Sequence, residues 1–210
     1  MQLTSAAGRV LIVAVTAVTA AALCAGSPAA VATPVRTSAD VTATSHGPYA
    51  RLQPLAELSA RRLATADLVA AAKYGTGGPI DDPAREKQVL DAVARAAREA
   101  DADPRDTVRV FRDQIEANKA VQRELFRRWD ADPAKAPQER PDLAEVREEI
   151  NRVNGELVRA IAASAGARTA PYCGGALAAA TAHVRHTDHL DALHSLALER
   201  ALRSVCTEAA

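Results

Sequence analysis

Apolar residues recur at helical spacing over nearly all of the chain from Tyr49 onward. Ala, Leu, Arg and Glu dominate this region, and all four are good helix formers. The region contains no convincing run of alternating β-branched residues, which is the pattern that indicates strands. The sequence therefore predicts an all-α protein in which residues 49–210 form a single-domain bundle of about six helices.

Turn and capping residues divide this pattern into helices. The first helix ends at the segment GTGGP, whose glycines and proline cannot continue it. Asp82 and Asp103 are each followed by proline, and this pair is typical of a helix N-terminus. After the loop DPAKAPQERP, Asp142 with Glu145 three residues later resembles a capping box. The predicted helices are about 49–74, 83–102, 104–130, 142–165, 174–186 and 188–205.

The first 32 residues do not share the amphipathic pattern. Arg9 precedes the apolar run VLIVAVTAVTAAALC, and small residues follow as far as Ala32. This arrangement predicts a secretory signal peptide that is cleaved near Ala32, and hence a secreted or periplasmic protein. A membrane anchor is the alternative, but the run is shorter than the roughly 20 residues that span a bilayer. Residues 33–48 are polar and aperiodic, so they are predicted to form a flexible leader.

The charge of the mature chain is close to zero. Basic and acidic residues are equal in number, and signal cleavage removes only Arg9, which leaves a net charge of −1. No overall field therefore favours a nucleic acid, or a membrane surface after signal cleavage, and neither is predicted as a partner. Any site for an anion must be a local one.

Two cysteines remain after cleavage. Cys24 leaves with the signal peptide, and in an oxidising compartment Cys173 and Cys206 are expected to form a disulfide. The chain-entropy model gives such a loop a stabilisation of roughly 4 kcal/mol. Two free thiols are the alternative.

Polar side chains interrupt the apolar stripes of the predicted helices. The third helix carries two amides, Asn118 and Gln122, in the middle of its stripe. The first helix carries Arg62 and Lys73, which are eleven residues apart and so point the same way about 16 Å apart along the axis. The stripe residues of the third helix are Phe111, Ile115, Asn118, Gln122, Leu125 and Trp129, and those of the first are Leu55, Leu58, Arg62, Val69 and Lys73.

The second and fourth helices show the same anomaly. Arg85 begins a row with Val89 and Val93, and Arg147 lies in the stripe Leu143, Arg147, Ile150, Leu157 and Ile161. Arginines that extend from stripe edges to solvent are one explanation. The other is an internal pocket whose missing negative charge is supplied by a ligand, because burial of unpaired charge is costly. Three arginines and a lysine suit a small dicarboxylate, which guanidinium groups bind through paired hydrogen bonds.

Other chemistry has little support in the sequence. No nucleophile is paired with a base, and no glycine-rich phosphate loop is present. His183, His186 and His189 are spaced by three, which spreads them over about 120° of a helix. We interpret them as surface histidines in preference to metal ligands. The pattern therefore indicates binding, or a reaction that needs only conformational restraint and stabilisation of charge.

Four segments of the chain resemble the exported subclass of the all-helical chorismate mutases. They are RLATADLVAAAK, PIDDPARE, VFRDQIEANKAVQ and PDLAEVREEI, and the similarity extends over about residues 50–206. The resemblance implies the Claisen rearrangement of chorismate to prephenate, without cofactor, metal or covalent intermediate. It also implies a homodimer in which each chain builds its own site.

The resemblance implies roles for individual residues. Arg62 and Arg147 match the arginines that bind the substrate carboxylates, and Lys73 matches the lysine that donates to the ether oxygen. Gln122 occupies a position of glutamine or glutamate, and Asn118 departs from a small hydroxyl residue. Arg85 is expected to line the other side of the site, with Asp82 and Glu86 near the substrate hydroxyl. The alternative to an enzyme is a non-catalytic helical module that binds a small dianionic metabolite or a partner helix.

Overall fold

The structure is a computed structural model that describes residues 47–207. The predicted signal peptide at 1–32 and nearly all of the predicted leader at 33–48 lie outside the described residues. The described part of the chain is helical throughout its regular structure, which confirms the predicted all-α class. The helices are α1 Pro48–Lys73, α2 Pro83–Glu99, α3 Pro104–Ala131, α4 Leu143–Ala163, α5 Ala165–Arg168, α6 Cys173–Thr187 and α7 Ala192–Ala201, with a 3-10 turn at Pro133–Lys135.

Aspartate side chains begin four of these helices. In each case a carboxylate oxygen accepts a hydrogen bond of 2.7–3.0 Å from a backbone N–H of the first turn. These N–H groups have no partner within the helix, so the caps stabilise the helix starts. The cap pairs are Asp82 with Arg85, Asp103 with Asp106, Asp142 with Ala144 and Asp191 with His194.

The helix ends differ in detail from the sequence pattern. The second helix ends at Glu99 instead of Ala102 because Asp101 has a left-handed backbone conformation, with φ of 55°. His189, with φ of 51°, likewise separates α6 from α7. The described residues contain seven helices instead of about six, since the chain makes one further helical turn, α5, after Ser164. Hydrophobic periodicity is a poor guide to so short a helix.

Helix α1 is the centre of the bundle and packs against α3, α4, α6 and α7. Its residues Leu52 and Leu55 are fully buried. Helix α2 packs against α3 and α4 from the other side. The core therefore follows α1 along its length, and α1 to α4 meet where the polar stripe residues lie. The largest fully buried side chains of the other helices include Phe111, Val110, Val121, Leu157, Ile161, Val184 and Leu198.

Two links hold the C-terminal helices in place. Cys173 and Cys206 form the predicted disulfide, with their Cα atoms 5.8 Å apart, and it joins the start of α6 to the segment after α7. On α7, the His194 ring contacts the carboxylates of Asp67 on α1 at 2.9 Å and Asp191 at 2.7 Å. The hydrogen bond to Asp67, supported by the one to Asp191, raises the pKa of His194 to about 9 against the opposing effect of burial. His194 is therefore a cation at neutral pH that joins α7 to α1.

None of the helices within residues 47–207 combines the length and the apolar character that crossing a membrane requires.

Removal of the disulfide should destabilise the protein without changing its fold. Its sequence separation of 33 residues gives an expected loss of about 4 kcal/mol for the double variant Cys173→Ser/Cys206→Ser. Urea unfolding should show this loss, and a reducing agent should bring the wild type to the same midpoint while leaving the double variant unchanged. Alkylation of two thiols in native, oxidised protein would contradict the pairing.

Candidate active site

A pocket lies between α1, α2, α3 and α4 at the level of the polar stripe residues. The space inside it, together with open solvent at its mouth, is about 700 Å³. All eight candidate site residues from the sequence line this pocket. The lining consists of Arg62, Val69, Lys73, Ile80, Asp82, Arg85, Glu86, Val89, Ile115, Asn118, Lys119, Gln122, Leu143, Arg147 and Ile150.

Arg62 is the most deeply buried cation of the pocket. Its side chain is held by two neutral acceptors, since Nε donates to Asn154 Oδ1 at 2.8 Å and Nη1 donates to the backbone oxygen of Gln114 at 3.1 Å. The guanidinium carbon lies 5.8 Å from the centre of the Phe111 ring. Burial lowers the pKa of Arg62 to about 10, so the group remains charged at neutral pH.

Lys73 ends α1 at the edge of the pocket. Its Nζ donates to the backbone oxygen of Pro79 at 2.7 Å, which ties the lysine to the loop after α1. Gly75 and Gly77 make this turn possible, because both have positive φ near 70°. Desolvation lowers the pKa of Lys73, and Arg147 lowers it further, whereas the carboxylate of Asp82 raises it.

The start of α2 brings three candidate residues to the pocket. Asp82 caps the helix through the N–H of Arg85, so its carboxylate is fixed at the pocket wall. Within residues 47–207, the Arg85 guanidinium donates one hydrogen bond, to Gln88 Oε1 at 3.3 Å. Glu86 lies one residue further along α2 and accepts a hydrogen bond from Lys119 on α3.

Arg147 is exposed, unlike its neighbours in the predicted stripe. Leu157 and Ile161 on the same helix are fully buried, but the beginning of α4 passes the mouth of the pocket. The first buried apolar residues of α4 are Val146 and Val153, and neither of them belongs to the predicted stripe. Within the described chain, Arg147 has neither a hydrogen bond nor an ion pair.

The two amides of α3 contact each other inside the pocket. Gln122 is 3% exposed, and its Nε2 donates to Asn118 Oδ1 at 2.6 Å. Gln122 Oε1 is buried and has no hydrogen-bond partner among the described residues. A buried polar atom without a partner is costly. The pair therefore has hydrogen-bonding capacity that is free for a ligand.

Lys119 lines the pocket although the hydrophobic pattern did not single it out. Its Nζ contacts Glu116 at 2.5 Å, Glu86 at 3.0 Å and Asp81 at 3.1 Å. These hydrogen bonds raise the pKa of Lys119 against the effect of burial. The residue follows Asn118 directly, outside the apolar stripe. Glu116 lies one turn earlier on α3, a helical spacing that the sequence shows, whereas Asp81 and Glu86 come from the start of α2 and the loop before it. Sequence spacing carries no signal for the contacts with Asp81 and Glu86.

The pocket has an excess of positive charge. Lys119 is surrounded by three carboxylates and adds no unbalanced charge. The other four cations have no carboxylate within 4 Å in the described part of the protein, which leaves them available to an anionic ligand. These four are Arg62, Lys73, Arg85 and Arg147, and the carboxylates of the lining are Asp82 and Glu86.

His183, His186 and His189 are exposed and do not line the pocket. His183 packs edge-on against Tyr49, and the rings of His186 and His189 are 6.5 Å apart. The described residues contain no group of three or more side chains that could hold a metal ion.

Fold and site together define a helical bundle that encloses a cationic pocket with amide groups, suited to a small ligand with two negative charges. The family model of type II chorismate mutases matches residues 53–123. The secreted chorismate mutase of Mycolicibacterium smegmatis is 41% identical over 155 residues, which are 74% of this chain and 86% of that protein. The secreted chorismate mutase of Mycobacterium tuberculosis is 36% identical over 74% of this chain and 78% of that protein.

Solved structures agree with these sequence relatives. Chorismate mutase from Burkholderia phymatum superimposes with a TM-score of 0.73 and 34% identity, over 77% of this chain and 99% of that one. Chorismate mutase from Burkholderia thailandensis gives a TM-score of 0.71 and 36% identity, over 74% of this chain and 99% of that one. This chain belongs to the chorismate mutase family, as the four sequence segments indicated.

Export of the protein is also confirmed. Both bacterial relatives at 36–41% identity are named as secreted proteins, and the disulfide requires an oxidising compartment. Cleavage near Ala32 lies outside the described residues and stays a prediction.

Substitution of Lys119 by methionine should destabilise the protein, because the carboxylates of Asp81, Glu86 and Glu116 would face one another without a cation. We expect the free energy of unfolding, measured in urea, to fall by about 1–2 kcal/mol, and added salt should make this decrease smaller. Arg123→Met is the control, since Arg123 is exposed and contacts Asp81 alone of these three. Arg123→Met should lower the free energy of unfolding by less than about 1 kcal/mol. Equal unfolding midpoints for Lys119→Met and the wild type would show that the cluster does not stabilise the fold.

Proposed function

We propose that the pocket between α1 and α4 binds chorismate and rearranges it to prephenate. The protein is accordingly an isomerase of the chorismate mutase type. The observation that carries the assignment of the site is the convergence of four cations without carboxylate partners, since chorismate carries two carboxylates. Arg62 and Arg147 each bind one carboxylate, and Arg85 adds positive charge from the opposite wall.

Restraint of the substrate is the first contribution to the rate. Chorismate must be held in the compact conformer that brings its two reacting carbons together, so fixed carboxylate contacts act by orientation. Arg62 suits this role because Asn154 and Gln114 already hold its guanidinium. Asp82 and Glu86 accept from the substrate hydroxyl at the start of α2.

Stabilisation of charge is the second contribution. Negative charge grows on the ether oxygen as the C–O bond breaks, and donors that are already in place stabilise it more in the transition state than in the ground state. Lys73 supplies one donor, held by its bond to Pro79. Gln122 supplies the other, with one amide hydrogen directed to the substrate while the side chain stays bound to Asn118.

A non-catalytic module that binds a small dianion is the alternative function. The same four cations could bind such a dianion, but binding alone does not require two adjacent amides beside a lysine. Incubation of the mature protein with chorismate, followed by absorbance, separates the two functions. We also propose, from the family resemblance, that the chain forms a homodimer, for which light scattering would report twice the mass of one mature chain.

Arg147→Ala should lower kcat/KM for chorismate by about a hundredfold, because it removes one of the two carboxylate contacts. The thermal midpoint should not change, since Arg147 is exposed and makes no ion pair in the described structure. Arg159→Ala is the matched control, because Arg159 is an exposed arginine of the same helix outside the pocket. Full turnover by Arg147→Ala would exclude α4 from the substrate site.

The activity of the wild type should be nearly flat from about pH 5 to 8. The Gln122 amide donates at every pH, and the other donor is Lys73, whose pKa burial lowers from the ordinary value of 10.5. Activity should fall only at higher pH, as Lys73 loses its proton. Gln122→Glu should shift the optimum to acid pH, because a carboxyl group donates only when protonated. An unchanged profile in this variant would show that Gln122 does not face the breaking bond.

A further inference from the structure

Asn154 on α4 is the residue that orients the Arg62 side chain. The amide is 8% exposed, and its Oδ1 accepts the hydrogen bond from Arg62 Nε at 2.8 Å. We propose that Asn154 is a positioning residue, which holds the Arg62 guanidinium in the orientation that binds a substrate carboxylate. The proposal rests on the proposed function only for the identity of that ligand.

Two of the N–H groups of the Arg62 guanidinium already have acceptors. Nε donates to Asn154, and Nη1 donates to the backbone oxygen of Gln114 at 3.1 Å. A guanidinium has five N–H donors, so three remain, namely one on Nη1 and both on Nη2. Arg62 lines the pocket, and the terminal nitrogens are the pair that binds a carboxylate through two parallel bonds. The bonds to Asn154 and Gln114 therefore leave three of the four hydrogens of this pair for a ligand.

Both acceptors of Arg62 are neutral, and this choice has a functional consequence. A carboxylate at position 154 would hold the guanidinium equally well and would stabilise its charge. It would also neutralise the charge and compete with the substrate for it. Asparagine has the shape of aspartate without the charge, so Asn154 provides the orientation while the positive charge is kept for the ligand. The backbone oxygen of Gln114 has the same property.

The Gln114 side chain reinforces the arrangement through a residue of α1 that lies one turn before Arg62. It is 1% exposed, and its Nε2 donates to Ser59 Oγ at 2.7 Å and to the backbone oxygen of Ala201 at 3.1 Å. These bonds fix the segment of α3 whose backbone holds Arg62. Asn154 is thus the one side-chain acceptor of Arg62 within residues 47–207, and it can be changed without altering that segment.

The test compares Asn154→Asp with Asn151→Asp. Both variants place a new carboxylate on α4, but Asn151 is exposed, lines only the neighbouring cleft between α2 and α4, and does not contact Arg62. Asn154→Asp should raise KM for chorismate at least about tenfold with a much smaller change in kcat, because the loss affects ground state and transition state alike. Asn151→Asp should stay within about twofold of the wild type.

An unchanged KM in Asn154→Asp would overturn the proposal, and so would equal effects of the two variants. If Asn154→Asp does not fold, Asn154→Ala takes its place. It leaves Arg62 charged but without its side-chain acceptor, so KM should rise by several-fold, and an unchanged KM again overturns the proposal.

A double-mutant cycle with Arg62→Met tests the contact without any substrate. Asn154→Asp alone keeps a buried ion pair, whereas the double variant leaves a buried carboxylate unpaired. The thermal midpoint of the double variant should therefore fall further than the sum of the single changes, by roughly 5 °C or more. Additive changes would refute the contact. Strong coupling in a protein that does not convert chorismate would refute the proposed function and leave the orienting role of Asn154 intact.

Discussion

A buried guanidinium without a carboxylate is the constraint on which the site depends. Arg62 is 5% exposed at the middle of α1, the helix around which the bundle is built. Burial of an unpaired charge would be prohibitive if its donors were also unsatisfied. Asn154 and the backbone of Gln114 satisfy two of them, and the Phe111 ring lies nearby at 5.8 Å. Arg62 can stay charged when buried because two neutral groups accept hydrogen bonds from its guanidinium.

This requirement shapes the helices around α1. The acceptors come from α3 and α4, so both must be held in register with Arg62. The buried Gln114 side chain connects α3 to Ser59 on α1 and to the end of α7. The His194 contact with Asp67 holds α7 against α1, and the disulfide ties the segment after α7 to the start of α6. Packing outside the pocket therefore supports the orientation of one side chain inside it.

The sequence predicted those features that depend on local spacing. The helix starts could be predicted because aspartate and proline act within one helical turn. The pocket could be predicted because cations occupy positions where packing favours apolar residues. Lys119 was missed because two of its three carboxylate partners, Asp81 and Glu86, reach it only in the folded chain. The exposure of Arg147 was also not predicted, since periodicity identifies a helix face but not whether that face meets the core or the mouth of a pocket.

The distribution of charge in the pocket limits how far the empty site lowers the free energy of unfolding. Of the four cations without a carboxylate partner in the described structure, only Arg62 is buried, and its pKa of about 10 keeps it charged at neutral pH. Lys73 and Arg85 are half-buried, and Arg147 is exposed, so water solvates them until a ligand arrives. The charge of Arg62 is therefore present before a ligand arrives, and its attraction for a carboxylate is available at the moment of binding.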